Sequence, residues 1–416
     1  MAFFLVNFLK MMVLVVLSKV VQSIVNLIYG PNKTDKNTHG VFCYDILYDW
    51  KQHPFQGASC SLFTLKFIKV RDISWIDRED VSLYTVTKNE CVFVRSREGT
   101  DIYNAEEHPF LYVSKHNSAQ EVGRVPREVV RDYLKSCGKL ERDGSNIAIL
   151  HNIGRCGSTL MTSMVNKTKQ CDVLSEPQAL LDVVNIISRM ECPVSRDAVE
   201  YYDLVKETLL LLTPNVDKNY FIKTHSQIIY ILPLIHQVLP GIREAFMYRS
   251  LRPTVTSFLR AFSDKAPFSF VENMFIPQMP KYLQEMWKEN RVAKHEHATL
   301  FLTLVNLHIY FNEAKDRNDI KSFSYESLVA DNAAFCKGIF REIGIDEQYV
   351  DLALSAMKSD SQKNSILAKS KVLTNNIVVS DDALGWGKEI GRILGIEMKG
   401  HDFEIANIPC SWDYVL

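Results

Sequence analysis

The stretch NIAILHNIGRCGSTLMTSMV, Asn146 to Val165, reads as an apolar strand, a tight turn with Gly154 and Gly157, and an amphipathic helix that opens with Ser158 and Thr159. This order makes an anion site. The first N–H groups of a helix have no partners within it and point outward with the positive end of the helix dipole, while glycines let backbone close around a phosphate. The spacing is not that of a nucleoside triphosphatase, because the Lys that should precede the Ser or Thr is replaced by Gly157. The apolar strand at 245–248 ends in Arg249 rather than in an Asp that could hold magnesium. A capped buried helix is the structural alternative for the same pattern.

Outward from this turn, apolar strands alternate with helical stretches from Ser145 on, the order of a parallel sheet covered by helices. The strands are expected at Asn146–Leu150, Tyr220–Lys223, Ala245–Tyr248 and Ser322–Tyr325. Helices are expected at about 157–167, 177–188, 198–212, 227–238, 253–262, 281–313 and 331–343. His295 and His297, at i and i+2 within the 281–313 stretch, read as part of a solvated helix face rather than a metal site. Residues 31 to about 140 read as a small α+β module: CSLFTLKFIKV, SLYTVT, CVFVRS and FLYVSK alternate as strands, and PREVVRDYLKS forms a helix that ends before Gly138. His53, His108 and His116 occur there singly and read as surface or core histidines.

Residues 1–30 are apolar at 22 of 30 positions, but Asn7, Lys10, Ser18, Lys19, Gln22, Ser23 and Asn26 interrupt the run and gather on one side of a helix. That favours an interfacial or core-packing amphipathic helix over a membrane span. Lys33 and Lys36 follow the segment, with no cation before Lys10. For a span, this bias would keep the C-terminal side cytosolic, against a lumenal catalytic domain; the expected location is cytoplasmic or membrane-associated, with a Golgi type II anchor as the alternative. The net charge of −1 over 416 residues excludes a global basic field for nucleic acid. Nine scattered cysteines without a CxxC pair indicate neither a disulfide scaffold nor a structural zinc site, and leave the redox compartment open.

Four matches, in order, resemble the sulfotransferase superfamily, whose members use the sulfuryl donor PAPS (3′-phosphoadenosine 5′-phosphosulfate) and release PAP. Arg155, Cys156, Gly157, Ser158 and Thr159 are similar to the 5′-phosphosulfate loop of the carbohydrate and tyrosylprotein members. Arg249 with Ser257, eight residues on, resembles the 3′-phosphate motif, and Arg243, Arg252 and Arg260 against Glu244 make this stretch locally positive. Lys223 and His225 in FIKTH resemble the KTH that closes a central strand in cytosolic members. SYESL resembles the YEDL strand end, which puts Tyr325 near the adenine. In addition, Glu176 in LSEP stands 21 residues after Arg155, as the catalytic Glu of tyrosylprotein members does. The adenine-stacking Trp of cytosolic members falls at Leu160, and their C-terminal basic segment has only Lys369 and Lys371 as counterparts. In carrying an N-terminal module, the chain is similar to invertebrate sulfotransferase-like proteins.

The resemblance implies a three-layer, P-loop-like α/β fold at 145–410, after the helix at 1–30 and the module of unknown role at 31–140. It implies sulfuryl transfer from PAPS, without a metal, to a glycan, tyrosyl peptide or small alcohol or phenol. Arg155 and Lys223 would act on the donor side, and Glu176 or His225 would be the base, with Glu176 narrowly favoured. Each residue has a structural alternative: arginines pairing carboxylates, a core His beside a snorkelling Lys, a helix-start carboxylate at Glu176, and a simple Ser replacement at Cys156. A non-catalytic nucleotide-binding or interaction protein and a P-loop kinase or NTPase are the competing functions.

Overall fold

The computed structural model describes residues 2–412 other than 32–38, 52–56, 108, 189–200, 263–267, 364, 366, 369–371 and 373–376. Lys33, Lys36, His53, His108, Lys369, Lys371 and the expected helix start at 198 lie outside the described residues.

The chain opens with helix α1 (Ala2–Tyr29), followed by strands β1 (Val41–Asp49), β2 (Phe63–Arg71), β3 (Val81–Val86) and β4 (Glu90–Ser96). Helix α2 (Leu111–Ser118), strand β5 (Ala119–Pro126) and helix α3 (Arg127–Ser136) complete this part. The five strands form an antiparallel sheet in the order β2-β1-β5-β4-β3. Gly138, at φ 68°, ends α3 as its position indicates. FLYVSK is not a strand. Its residues from Leu111 on are helical, because Lys115 turns inward and donates from Nζ to the Leu83 carbonyl at 2.7 Å. Buried His116 fits the core reading, with its ring stacked on Phe63.

Helix α1 lies along the edge strand β2, held by Gln22, whose Nε2 donates to the Leu65 carbonyl and whose Oε1 accepts the Leu65 N–H. Ser18 is buried on this side, so the helix docks through part of its polar face. Val13, Val16, Val20, Ile24, Leu27 and Ile28 face outward. Of the two expectations, an interfacial helix and one packed on the core through its apolar side, the second is not what forms. Among the described residues, no helix is long and apolar enough to cross a membrane.

The second sheet is parallel, in the order β10-β9-β6-β8-β7. It is built from β6 (Ile147–Asn152), α4 (Ser158–Thr168), β7 (Asp172–Ser175), α5 (Gln178–Ser188), α6 (Tyr202–Leu212) and β8 (Tyr220–Lys223). The chain continues through α7 (Leu232–Val238), β9 (Arg243–Tyr248), α8 (Leu251–Phe262), α9 (Phe268–Phe275), α10 (Lys281–Asn290) and α11 (His295–Asp316). It closes with β10 (Lys321–Ser324), α12 (Tyr325–Ala330), α13 (Asn332–Ile343), α14 (Val350–Leu354) and α15 (Asp381–Ile393). Helices α4, α13 and α14 pack on one face, and α5 to α8 with α11 on the other, giving three layers. All four expected strands of this sheet are present; β7 is an addition.

The single helix expected at 281–313 is two, parted at Arg291–Lys294, where Arg291 pairs with Glu272. His295 and His297 therefore stand in the first turn of α11, and His297 is buried with its ring 5.1 Å from Trp386 instead of solvated. One apolar core runs through both sheets, from Val41, Trp75 and Phe93 to Ile149, Ile222 and Phe246. Across this junction Asp182 on α5 accepts from the Thr85 hydroxyl and the Val86 N–H of β3.

Candidate active site

Strands β6, β7 and β8 end side by side, and the turns that leave them place the site residues. After β6 the backbone swings through Gly154 at φ 78°, Arg155 at φ 54° and Gly157 at φ 89°. A Cβ on Gly157 would lie 2.5 Å from the Tyr325 ring, and one on Gly154 would lie 2.8 Å from Phe258. Glycine is required at both by conformation and by space. Helix α4 then begins at Ser158, which is buried with Thr159. Cys156 is buried, its thiol directed at the Met247 carbonyl, and burial pushes its pKa up. That fits a packing residue, not a nucleophile.

Glu176 leaves the end of β7 at φ 55°, its N–H bonded to the Lys223 carbonyl at 2.7 Å. The turn aims its carboxylate across the sheet edge, where it accepts from the Lys223 ammonium and lies 3.5 Å from His225 Nε2. Glu176 thus does not serve as a helix-start carboxylate. Burial acts to raise its pKa, but Lys223, His225 and Arg155 together outweigh burial and hold it below the ordinary carboxylate value. His225 is pushed below its ordinary value, first by burial and also by Lys223, against Glu176. Its Nδ1 is buried without a partner among the described residues.

Arg155 reaches the other way. Its Nε donates to the Ser257 hydroxyl at 3.0 Å and its Nη1 lies 3.4 Å from Gln362 Oε1. The same Gln362 lies 3.4 Å from the Thr159 hydroxyl through Nε2, so it spans the turn. Arg249 leaves β9 with its guanidinium 4.5 Å from the Tyr325 ring centre, a cation–π contact, and its buried Nε–H has no partner among the described residues.

The expected residues thus fall into two adjoining groups. Glu176, Lys223 and His225 form one; Arg155 and Ser257, with Arg249 against Tyr325 and Tyr325 against Gly157, form the other. Three residues had no signal in the sequence: Gln362, and Tyr112 and Lys51 from the antiparallel part. The Tyr112 ring centre is 5.9 Å from that of His225, and Lys51 Nζ is 5.6 Å from the Tyr112 ring.

No protein-family model matches the sequence, and no curated protein does. The solved structures to which the chain is similar include sulfotransferases. A mouse sulfotransferase in complex with PAP is 15% identical, over 62% of this chain and 92% of that one, with a TM-score of 0.30. A Mycobacterium avium sulfotransferase is 11% identical, over 67% and 82%, at 0.36. Retinol dehydratase in complex with retinol and PAP is 13% identical, over 69% and 91%, at 0.34.

Proposed function

We propose that the protein transfers a sulfuryl group from PAPS to an acceptor hydroxyl or amine. The observation that carries this reading is the meeting of Glu176, Lys223 and His225 beside the Arg155 turn, at the ends of adjacent parallel strands. Bound PAPS would supply the sulfuryl group on a phosphate leaving group. The residues fit it. Arg249 carries a buried donor without an acceptor among the described residues, which a 3′-phosphate would fill together with Ser257. The start of α4, from Gly157 to Thr159 behind Arg155 and Cys156, would hold the 5′-phosphosulfate, and Tyr325 would border the adenine. Binding would exchange the bonds that Arg155 now makes to Ser257 and Gln362 for bonds to the ligand.

Arg155 and Lys223 offer positive charge on the donor side, where negative charge grows during in-line transfer. Glu176, ionised at neutral pH, takes the acceptor proton; His225, held neutral, packs beside it and is the rival for that role. The deciding experiment is titration with PAP and with ATP and Mg²⁺, then single turnover with labelled PAPS over glycan, tyrosyl-peptide, phenol and alcohol acceptors. Preference for ATP would overturn the reading in favour of a kinase or NTPase. PAP binding without turnover would leave a nucleotide-binding protein.

Arg249→Ala is expected to weaken PAP binding by about 1.5–3 kcal/mol, the range for charge-assisted hydrogen bonds. Adenosine 5′-phosphosulfate, which lacks the 3′-phosphate, should bind as before. Equal losses for both ligands, measured by calorimetry, would make Arg249 structural.

We also infer that α1 contacts a lipid surface through its outward side. The support is the exposed strip of Val13, Val16, Val20, Ile24, Leu27 and Ile28 on a helix that holds Lys10 and Lys19 but no acid. The protein should float with phosphatidylcholine–phosphatidylserine vesicles, and Val20→Asp with Ile24→Asp should abolish flotation without altering PAP affinity. Wild-type protein that stays with the unbound fraction would refute this contact.

A further inference from the structure

Two side chains of the antiparallel part stand on the acceptor side of the site, and the packing that brings them there is specific. The Ser175 hydroxyl at the end of β7 donates to the Pro109 carbonyl at 2.6 Å, tying the start of α2 to the residue before Glu176. Phe110 packs with Ala261 of α8 and with Leu367. Tyr112 is thereby set with its ring near His225, and its phenol is held protonated first by burial and then by the charge of Glu176.

Lys51 approaches Tyr112 from β1. Asp49, the last residue of that strand, accepts from the Lys51 backbone N–H at 2.8 Å and lies 2.9 Å from His116 Nε2. His116 is fixed in turn by the Tyr84 hydroxyl, 2.7 Å from its Nδ1. This relay, buried at His116 and Tyr84 and exposed at Asp49, holds the backbone that presents Lys51. The Lys51 ammonium is buried and has no hydrogen-bond acceptor among the described residues. Asp49 acts on it only at longer range, against a burial that lowers the Lys51 pKa. A buried cation with three unused donors is costly unless an anion completes it.

We propose that Tyr112 and Lys51 form the acceptor subsite, and that the acceptor is a hydroxyl compound carrying an anionic group, which Lys51 binds while Tyr112 flanks the ring or chain bearing the hydroxyl. This rests on the sulfuryl-transfer reading, and it gives the antiparallel part a role as the specificity wall of the parallel sheet's site. Phenolic and sugar acids share the required chemistry, so matched probes separate them: 4-hydroxyphenylacetate against its amide, and methyl glucuronide against methyl glucoside.

The test is the binding of these four compounds, by calorimetry or saturation-transfer NMR, to the full chain with and without saturating PAP. In at least one pair the acid should bind at least about tenfold tighter than its neutral twin, and the pair that shows this names the source. Lys51→Gln should collapse the ratio to about one, and Lys51→Arg should restore most of it. Tyr112→Leu should weaken both members of the pair together, and PAP affinity should stay constant in all three variants. No preference for the acid in either pair, or a preference that survives Lys51→Gln, overturns the proposal. Failure of PAP itself to bind would instead strike at the donor reading, and the acid-to-neutral ratio measured without PAP keeps the two failures apart.

Discussion

Glu176→Gln lowers kcat by about 10²–10⁴ while PAP affinity stays intact, the expected result if Glu176 takes the acceptor proton. The amide keeps the size of the side chain and its oxygen can still accept from Lys223, so the packing of the site survives at some cost in stability, but it cannot accept a proton at neutral pH. Because Lys223, His225 and Arg155 together outweigh burial and hold the Glu176 carboxyl below its ordinary value, the acid limb of kcat should fall in the carboxylate range or lower. His225→Ala should cost less and leave that limb in place. The reverse order of the two losses, with a limb governed by a group below the usual imidazole value, would assign the base to His225, whose pKa burial depresses.

Lys223→Met should cost about 3 kcal/mol of folding stability at neutral pH. Removing buried Lys223 strands a half-buried carboxylate, because Lys223 is the main charge offsetting the burial of Glu176. The pH dependence has a definite sign. In the wild type the depressed carboxyl contributes stability that is present above its unfolded pKa and is lost as pH falls through the folded value. In the variant, burial is opposed only by His225 and Arg155, so the folded pKa moves up, and the penalty shrinks as acid protonates the carboxyl. Urea unfolding at pH 7 and near pH 4.5 would show the gap between the two proteins narrowing. A loss under about 1 kcal/mol, equal at both pH values, would mean that the carboxylate finds another partner.

The turns around Arg155 and Arg249 were legible because each carries its own local pattern. Gly154, Gly157 and the Ser158 helix start mark a tight strand-to-helix turn, and Arg249 at a strand end with Ser257 in the next helix marks a second. The parallel strands carry apolar runs at 147–150, 220–222 and 245–248, as strands buried on both faces do. What escaped notice is what tertiary packing assembles. β7 is only DVLS, too short to show a period. β1 shifts register between Cys43 and Tyr44 and again between Ile46 and Tyr48, which scrambles its alternation. β5 buries Glu121 in mid-sheet between Arg71 and Arg95, so a charge stands where an apolar residue would mark the strand. Lys51, Tyr112 and Gln362 belong to no motif, and only the folding of distant segments onto the sheet edge brings them to the site.

Among the described residues, Arg155 and Glu176 are two of five non-glycine residues at positive φ, and they stand at the ends of β6 and β7, on either side of β8. Such a backbone costs an ordinary side chain about 1–2 kcal/mol and a glycine almost nothing. Selection for heat resistance alone would therefore favour glycine at both places, and every such gain would remove a charged group from the site. Consensus or thermostabilising redesign of this chain should hold positions 155 and 176 fixed, since the mutations that most relax the scaffold are the ones that would disarm it.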